Sequence, residues 1–323
     1  MNKFKDLFEK EIISNGKKCV IILGSGFHRQ GLMNNICPDL KILKDWNCLL
    51  KKLGVDFYPT NNNLLDFEQI ILAETDKNPA YKTENKILKR VSQVIQKAQE
   101  EIFIINTKDY PVGIFKSKYV SDVINLNYDL VAENLFAKSL GVTMPRVSSL
   151  NLRSNNSSKT DSIMKDATRH FKIKVAKADN NISFWHPHGD INKPSTMIMG
   201  VRNYAKSIKN VEKLRNHAKS VHRKGASPNE NYTWYDKLTQ HPVLILGASL
   251  SQLEWDLWFA ITNRMRNFAK TANKRYSYPI FQMMGKSMDC NNNIDNRGWI
   301  DPLFDEKTSY EQQWIKLQRM FSE

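Results

Sequence analysis

Short apolar runs recur along the chain, and each ends in small, polar or ionisable residues. Val20-Ile21-Ile22-Leu23 leads into Gly24-Ser25-Gly26, and the run from Val120 to Leu126 leads into Asn127-Tyr128-Asp129. Ile182 to His186 leads into Pro187-His188-Gly189-Asp190, and Val243-Leu244-Ile245-Leu246 leads into Gly247-Ala248-Ser249. Runs of this length and β-branched character suit parallel strands buried on both faces. Between them apolar residues recur at helical spacing. Trp46, Leu49, Leu50 and Leu53 form one stripe, and Ile87, Leu88, Val91, Val94 and Ile95 another, so residues from about 45 to 101 read as largely helical. Phe4 to Ser14, Asn203 to His222 and about Gln252 to Lys270 read as helices, and so does Leu130 to Leu140, closed by Gly141 as its C′ residue. Thr196 to Met199, after a turn at Asn192-Lys193-Pro194, and Pro279 to Met283 read as further strands, the second of them the last. Asn151 to Ser162, rich in Ser and Asn, reads as an exposed loop.

Strands alternating with helices predict an α/β fold, a parallel sheet covered by helices on both faces. The pattern places the sheet core at about 18–30, 120–140, 182–204 and 243–270, and a smaller, mostly helical inserted lobe at about 35–115 and 145–180, within a single domain spanning 1–323. In open α/β sheets ligands sit outside the carboxyl ends of the strands, so the motifs are expected to converge on one crevice.

Each motif has a chemical and a bland reading. Gly24-Ser25-Gly26 is either a phosphate-binding turn, with free N–H groups at the helix that follows, or an ordinary tight turn. The full GxGxxG spacing is absent, and no Gly-x-x-x-x-Gly-Lys-Ser/Thr occurs. Asn127 and Asp129, two apart in extended backbone, face one side; Asp129 is either a ligand-facing acid or the cap of the next helix. His186, His188 and Asp190 alternate likewise, as metal ligands, as a general base, or as hydrogen-bonded structural groups. Gly247 and Ser249 repeat the glycine-turn logic at a second strand end. Trp255, Trp258, Phe259 and Ile261 read as core, and Asp256 among them as a salt bridge or cap.

Charge and cysteine content change the picture little. Forty-eight Lys and Arg against 33 Asp and Glu give a net charge of +15 over 323 residues, which favours anionic partners: dinucleotide phosphates, nucleic acid or an acidic protein. Arg202, Lys206, Lys209, Lys213 and His217 lie opposite the apolar face of the 203–222 helix, and with Arg264, Arg266, Lys270, Lys274 and Arg275 they make the best candidate contact surface. Cys19, Cys37, Cys48 and Cys290 include no CxxC pair, which excludes a Cys₄ zinc ribbon. No apolar stretch approaches the roughly 20 residues that span a bilayer, and the N-terminus has no signal-peptide pattern, so no membrane association and a cytoplasmic location are expected.

Strand–Gly-Ser-Gly, strand–Asn-x-Asp, His-Gly and strand–Gly-Ala-Ser, in this order from about Val20 to Phe259, resemble the sirtuin fold. Asp45 to Leu50, Asn127-Tyr128-Asp129, Thr196 to Tyr204 and Ser249 to Asp256 resemble the sirtuin-like NAD hydrolases of bacterial antiphage defence more than the protein deacetylases. The resemblance implies a Rossmann-type catalytic domain without a zinc module, acting on NAD+ as substrate and needing no metal. It implies that Gly24, Ser25 and Gly26 cradle the pyrophosphate, that Asn127 and Asp129 sit beside the nicotinamide ribose, that His188 is the catalytic histidine, and that Gly247 and Ser249 lie near the adenosine ribose and phosphates. The departures are the missing cysteine pairs, the missing Asp-Phe-Arg element and Leu126 in place of the usual glutamine, and they disfavour deacetylation.

The expected activity is therefore NAD+ glycohydrolysis to nicotinamide and ADP-ribose, by an effector that depletes NAD+ when triggered by a regulatory or sensor partner or by homo-oligomer assembly. His188→Ala is expected to abolish turnover and spare folding. Two alternatives are a catalytically silent nucleotide- or nucleic-acid-binding subunit of a defence complex, and a metal-dependent hydrolase built on His186, His188 and Asp190.

Overall fold

The computed structural model describes residues 6, 8–33, 37–54, 58–60, 62–75, 80–105, 109–144, 146–148, 167–175, 180–223, 232–250, 254–269, 279–283, 300–304 and 308–322. Its centre is a sheet of seven strands: β1 (Cys19–Leu23), β2 (Val120–Asn125), β3 (His170–Val175), β4 (Asn180–Trp185), β5 (Val243–Leu246), β6 (Ile280–Gln282) and β7 (Asp301–Pro302), in the spatial order β3-β4-β2-β1-β5-β6-β7. Every neighbouring pair is parallel except β3 with β4. The apolar runs read from the sequence are these central strands, and β1, β2 and β5 are buried along their whole length.

Alternation along β1 divides the core in two. Cys19, Ile21 and Leu23 join one cluster and Val20 and Ile22 the other, as successive side chains on opposite sides of a pleated strand must. The first face is covered by a π-helical segment (Glu9–Ser14) and by α1 (Gly26–Gly31), α2 (Trp46–Lys51), α3 (Asn63–Ala73), α4 (Ala80–Ile104) and α5 (Val131–Ser139). The second is covered by α6 (Gly200–Arg223), α7 (Trp234–Gln240) and α8 (Trp255–Ala269), while α9 (Tyr310–Ser322) returns to the first. Gly141 ends α5 as expected, with φ +70° and its N–H on Lys138 O at 3.0 Å. The helices at 46–104 share one continuous core with β1 and β2.

The chain lays β2 and β4 on one side of β1 before crossing to β5 on the other, so the strand order reverses at β1. Leu23 pairs with Asn125 of β2 and with Leu246 of β5. Three strands thus finish level, and Gly24, Leu126 and Gly247 leave the sheet along one line. This is where α/β sheets of this kind open a crevice. The register between β1 and β2 is irregular only at its start, where Cys19 pairs with Val120 but Val20 with Asp122.

The structure corrects several sequence expectations. Within 145–180, His170–Val175 is an antiparallel edge strand, Ala167 is helical, and 149–166 and 176–179 lie outside the described residues. Thr196–Met199 is not a strand; Pro194–Thr196 forms a 3₁₀ turn, and Met197, Ile198 and Met199, which follow it without regular structure, are buried. The N-terminal helix is π-wound over Glu9–Ser14, and β6 is followed by β7, so it is not the last strand. Trp255 is exposed, not core. Arg264 is buried, with its guanidinium on the Leu238 and His241 carbonyl oxygens, so it belongs to no surface stripe. Asn151–Ser162, Lys270, Lys274, Arg275 and Cys290 lie outside the described residues. Among the described residues no helix is long and apolar enough to cross a membrane.

Candidate functional site

The motifs at four strand ends meet in one cleft of about 260 Å³. Gly24 and Ser25 follow β1, Asn127 and Asp129 follow β2, His188 follows β4, and Gly247 and Ser249 follow β5; all line it, with Asp45, Trp46, Tyr128, Tyr204 and Glu254 on the remaining walls. Gly26 sits one step behind the wall. Its N–H donates to Gly247 O at 2.8 Å, so the two glycine turns grip each other.

Gly247 has φ +66°, and a Cβ there would stand 2.8 Å from the Gly26 backbone. Left-handed backbone and contact with a neighbouring main chain each exclude a side chain. Gly247→Ala is expected to destabilise the fold by about 1–3 kcal/mol, read as a lower urea midpoint at unchanged m-value. The expectation of free N–H groups at the first turn needs correction: besides the Gly26 bond, Phe27 N–H donates to Gly24 O and His28 N–H to Ser25 O, both at 3.0 Å. The polar groups the two turns present to the cleft are therefore those of Ser25 and Ser249, both exposed.

Behind the cleft lie three buried histidine–carboxylate pairs. His188 Nε2 is 3.0 Å from Asp256 Oδ2, His28 Nε2 is 2.9 Å from Asp129 Oδ2, and His186 Nε2 is 2.9 Å from Glu133 Oε1. Asp190 instead pairs with Arg169 at 2.7 Å. His186, His188 and Asp190 thus turn to three different partners, and among the described residues no group of three or more His, Cys, Asp or Glu is placed to hold a metal ion. The three side chains do not converge on one point.

The His186 pair fixes the loop after β2. Its Nδ1 lies 3.3 Å from Asn127 O, Asn125 Nδ2 donates to Glu133 Oε1 at 2.8 Å, and Asn127 N–H donates to Asn125 Oδ1 at 3.1 Å. Asn127 is therefore held by its backbone, while its side-chain Nδ2 is buried with no partner among the described residues. A buried donor without an acceptor is costly, and here it stands in the wall of the cleft. Asp129 lines the cleft and forms an Asx-type turn at the start of α5. Oδ1 accepts from Val131 N–H at 3.0 Å at the start of α5, and Oδ2 takes His28, whose Nδ1 lies 3.2 Å from the Tyr110 hydroxyl. Burial opposes the Asp129 charge, but His28 and the Val131 N–H outweigh it and keep the carboxyl below its usual range.

His188 is brought beside Asn127 by a short clip. Ile191 N–H donates to Tyr128 O at 2.9 Å, the Tyr128 hydroxyl donates to Ile198 O at 2.6 Å, and Ile198 N–H donates to His188 O at 2.9 Å. The Tyr204 ring packs 5.8 Å from that of His188. Burial disfavours the imidazolium, yet the charge and hydrogen bond of Asp256, with Glu254 adding to them, raise the His188 pKa above the ordinary imidazole value. Nε2 is engaged by Asp256, so Nδ1 is the nitrogen without a partner among the described residues. Asp256 also accepts from Leu257 N–H at 2.9 Å.

Sequence reasoning found the strand-end residues and missed their supports: Asp256 as the partner of His188, His28 and Tyr110 behind Asp129, and Glu133 behind Asn127. Each support lies far off in the chain, and no local motif marks it. Asp256 was read as a salt bridge, which it is; what the sequence did not disclose is its partner.

Fold and cleft together define an α/β protein of Rossmann-like architecture with a cleft at the carboxyl ends of the central parallel strands. The chain belongs to the SIR2-like domain family: the family's model matches residues 121–289. The match holds Asn127, Asp129, His188, Gly247, Ser249 and Asp256, while Gly24–Gly26 precede it and join the site through the fold. Membership ties the chain to sirtuin-like, NAD-related function. A comparison with curated proteins returned no match.

Proposed function

We propose that this chain is an NAD+ glycohydrolase. The observation that carries the reading is the convergence of Asn127 and His188, the latter held by Asp256, with two glycine turns in one cleft. The reaction breaks the bond between ribose C1′ and the nicotinamide nitrogen, and the bonding pair returns to the ring and neutralises the pyridinium. Positive charge then develops on the ribose, and water supplies the oxygen that bonds to C1′. Asn127 Nδ2 orients the ribose or that water. His188 Nδ1 accepts the proton lost by water or by a ribose hydroxyl and passes it to solvent. Asp129, kept ionised by His28, supplies negative charge near the developing cation. Ser25 and Ser249 bond phosphate and adenosine-ribose oxygens.

The test is incubation of the purified chain with NAD+, with products resolved by chromatography. Nicotinamide and ADP-ribose in equal amounts support the reading; tight NAD+ binding without turnover, in every assembly state, would replace it with a silent binding subunit. In the antiphage setting that the resemblance implies, a partner or self-assembly triggers the activity, and the check is His188-dependent loss of cellular NAD+ on infection.

A base must be neutral to act. Because the His188 pKa lies above the ordinary imidazole value of about 6.5, kcat/KM is expected to rise with pH through a limb displaced upward from that value. Asp256→Asn removes the main cause that raises it and leaves burial, which lowers it. The residual activity of that variant is expected to show its limb at lower pH, and an unmoved limb would mean that another group titrates.

A further inference from the structure

Helix α6 carries two unlike faces. Its inner face supports the cleft: Tyr204 packs on His188, Ser207 is hydrogen-bonded to Asp256, and Val211, Leu214 and Ala218 are buried in the core. On its outer face Arg202, Lys206 and Lys209 are exposed and Lys213 is half-buried. At about 100° per residue these four side chains fall within about 60° of one another, opposite the core-facing residues. At 1.5 Å per residue they extend over about 16 Å. Glu212, the one acidic residue in Gly200–Arg223, lies to the flank and pairs with Arg215 at 3.7 Å, while Arg202 stands 3.8 Å from Glu84.

We propose that the outer face of α6 docks nucleic acid through its phosphodiester backbone. A straight row of cations about 16 Å long spans the axial rise of roughly five base pairs, at 3.4 Å of axis per phosphate of each strand. The net charge of +15 gives the field that draws a polyanion to it. A protein partner would need apolar or aromatic anchors at the centre of the contact, and an anionic membrane would need an apolar face to insert. The large apolar side chain exposed on the described part of α6, Val201, points away from the row. The contact recognises charge spacing and carries no base readout, and it stands independently of the reaction in the cleft.

The test is fluorescence anisotropy with a labelled 20-base-pair duplex of mixed sequence, as DNA and as RNA, between 50 and 200 mM salt and without NAD+. Four phosphate contacts predict that log K falls with log salt at a slope of about −3.6, a loss of about 100-fold or more across that range. Arg202→Gln/Lys206→Gln/Lys209→Gln/Lys213→Gln is expected to abolish binding at 50 mM salt, and Lys206→Gln/Lys209→Gln to halve the slope should the fourfold variant fold poorly. A control with the same charge change on exposed α4 positions, Lys82→Gln/Lys86→Gln/Lys89→Gln/Lys97→Gln, is expected to keep the wild-type slope. An equal loss in that control, unchanged binding in the α6 variants, or wild-type binding to phosphatidylserine vesicles but to neither duplex, would overturn the proposal.

Discussion

Replacing His188 with alanine is expected to lower NAD+ turnover by about 10²- to 10⁴-fold, the range that a general base contributes. The structure alters what accompanies this loss. Asp256 is buried and has His188 as its charged partner, so alanine leaves a carboxylate unpaired inside the protein. Breaking such a pair from one side costs up to about 3–5 kcal/mol, reduced here by the donors that Asp256 keeps in Leu257 N–H and Ser207. The expectation that the alanine variant spares folding is therefore too simple. His188→Gln restores a donor to Asp256 without restoring a base, so it should be as inactive as His188→Ala and more stable. Activity in His188→Gln near wild type would show that the imidazole moves no proton.

Asn127→Ala is expected to cost about 10²-fold in kcat, because a misplaced ribose or water alone has an effect of that size. It should differ from the histidine variants in stability. Asn127 is fixed through its backbone N–H and carbonyl, and Nδ2 has no partner among the described residues. Removing the amide thus breaks no protein hydrogen bond at Nδ2 and takes away a buried donor that lacked an acceptor. Thermal unfolding without ligand should change little, while the stabilisation that NAD+ gives the wild type should shrink. A large loss of stability in the free protein would instead make Asn127 a structural residue.

How legible these features are in the sequence follows from how local their causes are. Strands β1 and β5 are legible because a strand buried on both faces is apolar throughout, β2 is less so because it buries Ser121, Asp122 and Asn125, and the cleft is legible because such strands open at their carboxyl ends. Strand β3 was equally local: His170-Phe171-Lys172-Ile173-Lys174-Val175 alternates polar and apolar, and Phe171 and Ile173 are buried while Lys172 and Lys174 are exposed. Its period of two marks it as a strand within the stretch expected to be mostly helical. The run Met197-Ile198-Met199 misled in the other direction, since burial alone makes a loop apolar. The supports of the site were not legible at all. His188 and Asp256 are 68 residues apart and His28 and Asp129 are 101 apart, and no spacing rule links positions that only the folded sheet brings together.

The irregular start of the β1–β2 register has a consequence for which changes of length the chain can absorb. One extra residue is taken up near Ser121, whose hydroxyl donates to Cys19 O at 3.3 Å, and from Asp122 onward each residue of β2 has a fixed opposite number in β1. A deletion upstream of that point shortens the approach and leaves the strand in phase. A deletion between Asp122 and Asn125 inverts every residue that follows, sending the side chains of one core into the other and rotating Asn127 away from His188. The bulge thus marks a reading-frame boundary in the folded protein: a one-residue change of length in the approach to Ser121 keeps β2 in phase, and one within Asp122–Asn125 does not.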